Sequence, residues 1–399
     1  MNNPETLRGG GAEGSFGQAE QERDFAMEYG ELSEQEKEKL QVIHRQFNEP
    51  RFVEVAAPGK ENEKLNIEYV VLDARNEADM AEAVSRGDRT VVHIPGFTSS
   101  YRSPEKFVKL MAVRENKRVI VTSLPSTGKS SAAPSDWRTG EKDGNQFAPF
   151  AETIDRALDA MRAEEQERNE VKTTPDVSLV SSSMGSIIAT ELAVRHPEKV
   201  RDLVLLHPAG IEEESVWQLA KRYVAEQTTD KRTLARSAKL DPKYKQELEG
   251  AYQKFFGKTL QEAYVEAGGK GIFDLQDADD QSHRFSRGAS ADILRDGTAS
   301  TVRNPLWRAW EVFSVIRAGL LKKLDKVKAN TYIINGAEDK LVPPSQFKDI
   351  ESRATQARTV RVDEFAGMRH ESMYHDARRY SASVGTFLDK MREEEQQTK

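Results

Sequence analysis

The sequence feature that most limits the possible folds is a regular alternation of strand-like and helix-like segments, which begins near residue 90. Short, almost entirely apolar runs predict strands, and longer amphipathic runs between them predict helices. Strands that are apolar on both faces and alternate with helices are typical of a mostly parallel sheet covered on both sides. The predicted strands lie near residue 90 and at 117–125, 176–182, 200–210, 329–336 and 358–365, and the clearest helices at 147–165, 186–196 and about 376–394.

The amino-terminal part of the chain does not follow this rhythm. Residues 1–32 are rich in Gly, Glu, Gln and Asn, and such a composition predicts a disordered or loosely attached segment. A capping box at Ser33 and Glu36 predicts a short helix over about residues 34–47. Apolar and alternating segments on either side of Pro58-Gly59 predict a hairpin.

A second interruption separates the fourth predicted strand from the fifth. Residues 211–326 contain several helical patches but few strand-like runs, which predicts a helical insertion over one end of the sheet. The expected domains are therefore a disordered or loosely packed extension with a short helix at 1–47, a core at 48–210 and 327–395, and a helical cap at 211–326.

Composition excludes several classes of function. The chain has 399 residues, a formal net charge of −7 with both signs interspersed, and no cysteine. The charge argues against nucleic acid or an anionic membrane as the main partner. Without cysteine there can be no disulfide, thiolate zinc site, iron–sulfur cluster or cysteine nucleophile. No apolar run suits a signal peptide or a membrane span, so we expect a soluble cytoplasmic protein, and its oligomeric state stays open.

Three consecutive serines, Ser181 to Ser183, stand where the third predicted strand meets the next helix. A serine becomes nucleophilic only when its hydroxyl is exposed and a base can remove its proton. A sharp strand-to-helix turn exposes the hydroxyl but requires small residues two positions before and after it, as in Gly-x-Ser-x-Gly. Only Ser183 has a glycine two residues later, Gly185, and Ser181 replaces the first glycine. Ser183 is therefore the candidate nucleophile, against the alternative of a polar turn. The hydroxyl of Ser182, one residue earlier, would point in a different direction, so Ser182 is the poorer candidate.

Four segments stand at the ends of predicted strands: His93-Ile-Pro-Gly-Phe-Thr98, Ser181-Ser-Ser-Met-Gly185, Asn335-Gly-Ala-Glu-Asp339 and Gly367-Met-Arg-His370. In this order along the chain, they resemble the motifs of the α/β-hydrolase superfamily. The similarity covers residues 89–210 and 327–392. It implies an α/β-hydrolase fold, a mostly parallel central sheet flanked by helices, and a cap inserted after the fourth strand.

The resemblance also implies a catalytic triad in the family order of serine, acid and histidine. Ser183 would attack a carbonyl, His370 would move the proton, and Asp339 would orient the imidazole. The oxyanion hole would consist of the backbone N–H groups of Phe97 and Met184. The residues expected to shape the elbow and the oxyanion turn are Ser181, Gly185, Gly96 and His93.

Two positions of the expected triad, the acid and the histidine, have alternative candidates. A minority of relatives carry the acid after the preceding strand, which would bring in Glu212, Glu213 or Glu214. His375 competes with His370 but adjoins the start of the last predicted helix. His44, His196, His207 and His283 belong to no motif and are expected to be structural or exposed.

The stretch Ser123-Leu-Pro-Ser-Thr-Gly-Lys-Ser130 resembles part of a phosphate-binding loop. Ser123 occupies the place of the first glycine of that motif, and Pro125 removes a backbone N–H donor. A nucleotide site is therefore not expected here.

The function expected from the sequence is that of a serine hydrolase that cleaves an ester or related acyl bond in a small molecule, with no metal or cofactor. The alternative is a non-catalytic member of the same superfamily that binds a small ligand or a protein partner. The distance between Ser183 Oγ and His370 Nε2 distinguishes the two hypotheses, because a general base must lie within hydrogen-bonding distance.

Overall fold

The computed structural model describes residues 32–97, 99–139, 146–167, 176–213, 305–370 and 372–398, together with residues 215, 217–219, 221 and 222. The strands are β1 (Arg51–Ala57), β2 (Lys60–Leu72), β3 (Thr90–Ile94), β4 (Val119–Thr122), β5 (Val177–Ser182), β6 (Val200–Leu206), β7 (Asn330–Gly336) and β8 (Val360–Phe365). The helices are α1 (Glu34–Phe47), α2 (Glu77–Ser85), α3 (Glu105–Val113), α4 (Ala148–Glu167), α5 (Gly185–Arg195), α6 (Pro305–Ile316), α7 (Leu320–Leu324), α8 (Ile350–Arg353), α9 (Ser372–His375) and α10 (Ala377–Gln397).

The described strands form one sheet in the order β1-β2-β4-β3-β5-β6-β7-β8. The expected hairpin is the antiparallel pair β1 and β2, and β2 is also antiparallel to β4. All pairings from β4 to β8 are parallel. The sheet is therefore mostly parallel, as predicted, and the carboxyl ends of its parallel strands lie at one edge.

Helices cover both faces of the sheet because alternate strand residues point to opposite sides. On β3, Val91 belongs to the cluster with α1, α3 and α10, while Val92 belongs to the cluster with α4, α5 and α7. Both faces of the central strands are therefore buried, which explains their continuous apolar sequence. None of the helices in the described part of the chain combines the length and the apolar character needed to cross a membrane.

Helix α1 has the expected bounds but is packed more tightly than the sequence suggested. Its capping box is present, with the Ser33 N–H donating to Glu36 Oε2 at 2.7 Å. Leu40, Ile43 and Phe47 are at most 2% exposed and join the core on the α3 side of the sheet. The prediction of a loosely packed extension over residues 1–47 is therefore wrong for the helix, because its apolar face is buried. Residues 1–31 lie outside the described residues.

The two ends of the interruption between β6 and β7 lie side by side. The Leu320 N–H donates to the Gly210 carbonyl at 2.8 Å, and the Leu321 N–H donates to the Ile211 carbonyl at 3.1 Å. Helix α7 then packs against α5. The chain thus leaves the core and returns to it at the same point. Most of the predicted cap, from residue 223 to residue 304, lies outside the described residues.

Ion pairs at the opposite edge of the sheet bind the end of α10 to the amino-terminal ends of the strands. Arg89 donates to Asp176 at 2.9 Å and to Glu395 at 2.5 Å. Arg201 also pairs with Glu395, and Arg392 of α10 pairs with Asp88. The last helix is thereby fixed at the base of the sheet as well as along its face.

Candidate active site

Four polar side chains meet at the edge of the sheet where the parallel strands end. This edge is where ligands bind in open α/β sheets, because the loops that follow the strands converge there. Ser183 directly follows β5, His207 directly follows β6, Asp339 follows β7 within a short turn, and His370 lies on the loop after β8.

The turn that presents Ser183 is sharp and crowded. Ser183 has a φ of 49°, a left-handed conformation that is strained for a residue with a side chain. Its N–H donates to the Leu206 carbonyl at 3.0 Å, which fixes the turn against β6. A Cβ on Gly185 would lie 2.4 Å from the Pro95 carbonyl oxygen, so only glycine fits there. The requirement for a small residue two positions after the serine thus comes from close backbone approach.

Ser181 fills the position before the turn where a glycine is usual. Its side chain is fully buried, and its hydroxyl donates to the Val204 carbonyl at 3.3 Å. It also lies 3.4 Å from the hydroxyl of Ser186. The fold accommodates the serine because its hydroxyl has hydrogen-bond partners in the core.

Ser183, His370 and Asp339 form a continuous hydrogen-bonded line. His370 Nε2 lies 2.9 Å from Ser183 Oγ, and His370 Nδ1 lies 3.0 Å from Asp339 Oδ2. Asp339 and His370 are buried, whereas Ser183 is partly exposed. The structure therefore brings together the three residues that the sequence singled out, at distances that permit proton transfer from the hydroxyl to the imidazole.

The turn that carries Asp339 and the loop that carries His370 are joined through their backbones. The Glu338 N–H donates to the Met368 carbonyl at 2.9 Å, and the Ala337 N–H donates to the Phe365 carbonyl at 3.0 Å. A Cβ on Gly336 would lie 2.2 Å from the Met368 oxygen. The glycine at the end of β7 thus permits the contact that places the acid beside the histidine.

The environment of Asp339 favours its ionised form. Burial alone would raise the pKa of the carboxyl, but the charge on His370 and hydrogen bonds from His207 and His370 hold it well below its usual range. Asp339 Oδ1 accepts the Val342 N–H at 2.7 Å. Asp339 is therefore a carboxylate at neutral pH and can orient the imidazole of His370.

His207, which the sequence suggested to be structural or exposed, also contacts the acid. Its Nδ1 lies 3.2 Å from Asp339 Oδ2, and its Nε2 lies 2.6 Å from the hydroxyl of Tyr380. Burial lowers the pKa of His207, although Asp339 opposes this effect. The predicted strand at 200–210 was too long, since β6 ends at Leu206. His207 is therefore the first residue beyond the strand, at the edge where the site lies.

The turn after β3 lies directly against the serine. A Cβ on Gly96 would be 3.1 Å from Ser183 Cβ, which places the neighbouring Phe97 backbone close to the elbow. His93 does not orient this turn by hydrogen bonding as expected, because both of its ring nitrogens lack a partner among the described residues. The ring centroids of His93 and Phe107 are 5.8 Å apart, and burial lowers the pKa of His93 to about 3.

The competing residues lie elsewhere. Ser182 is buried, and its hydroxyl has no hydrogen-bond partner in the described part of the chain. Glu212 and Glu213 are exposed, and Glu213 accepts a hydrogen bond from Lys322 at 2.6 Å. Glu214 and the side chain of His375 lie outside what the structure describes.

The loop that resembles a phosphate-binding motif encloses a carboxylate of the same chain. Glu68 Oε2 accepts the Lys129 N–H at 2.9 Å and the Ser123 hydroxyl at 3.0 Å. A Cβ on Gly128 would lie 2.3 Å from the same oxygen. The backbone donor that could face a phosphate, the N–H of Lys129, thus already donates to Glu68.

Asp339, His207 and His370 also lie close enough together to suggest a metal site. However, the Nδ1 atoms of both histidines point at the same carboxylate oxygen at 3.2 and 3.0 Å. These distances lie within the range of N–H···O hydrogen bonds. The arrangement therefore suits N–H donation to a carboxylate.

Comparisons with known proteins agree with the observed fold. The family model described as alpha/beta hydrolase fold matches residues 89–370. The structure of a membrane phospholipase A, a bacterial virulence factor, has a TM-score of 0.52 at 18% identity, over 89% of this chain and 91% of that one. A candidate lipase from Acinetobacter baumannii has a TM-score of 0.52 at 13% identity, over 90% and 98% of the two chains. VinJ has a TM-score of 0.50 at 13% identity, over 86% and 99%. A search of curated proteins finds no match.

Proposed function

Since the chain belongs to the α/β-hydrolase family, we propose that it is a serine hydrolase that cleaves an ester or related acyl bond through an acyl-enzyme. The observation that carries the proposal is the 2.9 Å distance between Ser183 Oγ and His370 Nε2, with Asp339 bound to the other side of the imidazole. A serine hydroxyl without such a base is a poor nucleophile.

In this mechanism the three side chains divide the work of nucleophile, proton carrier and orienting acid. His370 removes the proton from Ser183 as the hydroxyl attacks the carbonyl carbon, and later gives that proton to the leaving group. Asp339 holds the imidazole and stabilises its charged form. The backbone N–H groups of Phe97 and Met184 would donate to the oxyanion. Water then attacks the acyl-enzyme, with His370 again as the base.

Two further observations support an acyl substrate and a capped pocket. Among structures with a similar fold are a membrane phospholipase A and a candidate lipase. The adjacent ends of the segment between Gly210 and Leu320 support an insertion, and we propose that residues 211–326 form a cap over the site. The cap would bound the pocket and limit the size of the substrate.

The proposal is tested by labelling the protein with a fluorophosphonate probe and mapping the adduct by peptide mass spectrometry. The probe requires an activated serine but makes few demands on substrate specificity. We expect an adduct on Ser183 that is absent from Ser183→Ala and falls by about 10³-fold or more in rate in His370→Ala.

The buried neighbour Ser182 offers a matched control. Ser182→Ala removes a hydroxyl one residue away, so it should leave the adduct in place. A folded wild-type protein that forms no adduct would contradict catalysis, and would favour the alternative of a non-catalytic ligand-binding protein.

A further inference from the structure

Tyr380 and His207 continue the hydrogen-bonded line beyond Asp339. We propose that His207 is a positioning residue, held by Tyr380 in the tautomer that donates a second N–H to the acid of the triad. The inference rests on the proposed function, because a positioned acid matters only if His370 serves as the base. The line runs from Tyr380 through His207 and Asp339 to His370 and Ser183.

The tautomer follows from the partners. An ionised carboxylate can only accept, so the Nδ1 of His207, 3.2 Å from Asp339 Oδ2, must carry a proton. A neutral imidazole then has a bare Nε2, which can accept the Tyr380 hydroxyl at 2.6 Å. Both side chains are at most 1% exposed, so these bonds are shielded from bulk solvent. Burial also raises the pKa of Tyr380, which keeps the phenol protonated as a donor.

The backbone supports a specific role for His207. It has a φ of 46°, a left-handed conformation that is strained for a residue with a side chain. Its N–H donates to the Ile334 carbonyl at 2.8 Å, which ties the turn after β6 to β7. Ser183 is strained in the same way, with a φ of 49°. Such strain is found where the surrounding structure fixes a side chain in a required position.

The second donor should change how Asp339 acts on His370. Both histidines donate to Oδ2 of Asp339, while Val342 donates to Oδ1. The carboxylate is thus held on both oxygens and cannot rotate away from His370. Part of its charge is also balanced by the N–H of His207, which limits how strongly it stabilises the imidazolium of His370.

Three conservative variants separate the two contacts of His207. In His207→Asn the amide nitrogen can take the place of Nδ1 and donate to Asp339, and asparagine tolerates the left-handed backbone. In His207→Gln the amide lies nearer the position of Nε2, so the contact with Tyr380 can persist while the donor to Asp339 is lost. Tyr380→Phe removes the hydroxyl that fixes the tautomer and alters nothing else in shape.

The first measurement is the pH dependence of fluorophosphonate labelling at Ser183 in these three variants and the wild type. Loss of the donor leaves more of the negative charge of Asp339 facing His370, so the inactive imidazolium persists to higher pH. We expect the lower inflection of the profile to move up by about one pH unit in His207→Gln. The shift should be smaller in Tyr380→Phe, because Asp339 still favours the protonated Nδ1 of His207 in that variant. The labelling rate at the optimum pH should fall about tenfold in His207→Gln. His207→Asn should label like the wild type.

The second measurement reads the tautomer without any chemistry at the serine. The chain has seven histidines, so ¹⁵N-histidine labelling gives few signals, and the His207 resonances are those lost in His207→Asn. We expect a protonated Nδ1 and a bare Nε2 in the wild type at neutral pH. Tyr380→Phe should weaken this preference. A protonated Nε2 in the wild type would overturn the proposal.

The two measurements also separate this inference from the proposed function. If the wild type labels at Ser183 but neither His207→Gln nor Tyr380→Phe moves the inflection, His207 has only a structural role. If His207→Asn is as impaired as His207→Gln, the N–H donated to Asp339 is not what matters, and the proposal is wrong. If the wild type forms no adduct, the proposed function fails, while the tautomer measurement still tests the hydrogen-bonded line.

Discussion

The histidines show how far single residues can be interpreted from the sequence. His370 was identified because a glycine-containing loop and the family order of motifs surround it. His207 was missed because its contact with Asp339 joins residues 132 positions apart, and because the fourth strand was predicted to continue through it. The role expected for His93 is not supported, since the sequence does not show which way a strand side chain points.

His93 provides a prediction about pH and stability. A base whose pKa is lowered by burial contributes stability above its unfolded pKa of about 6.5, and this contribution is lost as the pH falls toward the folded value of about 3. His93→Leu cannot be protonated and also removes two ring nitrogens that have no hydrogen-bond partner among the described residues. Relative to wild type, the variant should gain about 2 kcal/mol in free energy of unfolding between pH 7.5 and pH 5.

Denaturant unfolding at both pH values measures this difference. Val91→Leu, on the same strand and in the same face cluster as the ring of Phe107, is the control. It should change stability equally at both pH values, because it adds no titrating group. An equal pH dependence in His93→Leu and wild type would show that His93 is not buried in neutral form.

At the scale of elements, the strands were predictable and their order was not. The apolar runs locate β3 to β7 because both faces of these strands are buried, whereas the edge strand β8 is only partly buried. Helices α2 and α3 were not anticipated, and neither was the placement of β4 between β2 and β3. Strand order depends on contacts between distant segments, which local patterns do not encode. The site could still be located, because its residues follow strands whatever their order in the sheet.

The contact between the turn after β7 and the loop after β8 provides a prediction at this scale. Gly336→Ala adds a Cβ that would lie 2.2 Å from the Met368 oxygen, so the loop with His370 must move away from Asp339. A displacement of about 1 Å can lower a rate about 100-fold, and we expect that loss in the rate of labelling at Ser183.

Gly59→Ala is the matched control for this variant. Gly59 also resists substitution, with a φ of 76°, but a Cβ there meets no atom within 4 Å and lies in the hairpin between β1 and β2. It should lower stability and leave the labelling rate unchanged. Similar labelling rates in Gly336→Ala and wild type would mean that the loop adapts without disturbing the histidine.

For the whole molecule, the predictable and unpredictable parts of the chain differ because the segment between Gly210 and Leu320 interrupts a regular core. The core repeats one unit of strand and helix, so its pattern is regular and its motifs keep their order. The segment between Gly210 and Leu320 returns to its starting point and need not follow that pattern. Its relation to a substrate therefore has to be measured.

Replacing residues 212–304 with a flexible Gly/Ser linker tests the proposed cap and keeps α6, because Trp310 and Val315 of that helix pack against the core. The chain returns from α6 to Gly210, whose carbonyl accepts the Leu320 N–H at 2.8 Å, so the linker has to span little more than the length of α6, about 18 Å at 1.5 Å per residue. We expect labelling at Ser183 to persist and the preference for short over long acyl esters to change. A shortened chain that no longer folds, as judged by circular dichroism, would mean that this segment is part of the core.

Helix α10 has a consequence for how the protein is made. It supplies Tyr380 to the candidate active site, and Glu395 and Arg392 to the opposite edge of the sheet. The helix therefore contacts both ends of the parallel strands. A ribosome completes Ser183 long before it reaches Asp339, His370 and this helix. Under the proposed function, the emerging polypeptide therefore carries its nucleophile in an inert state. Activity toward esters begins only after translation has released α10 and the helix has docked.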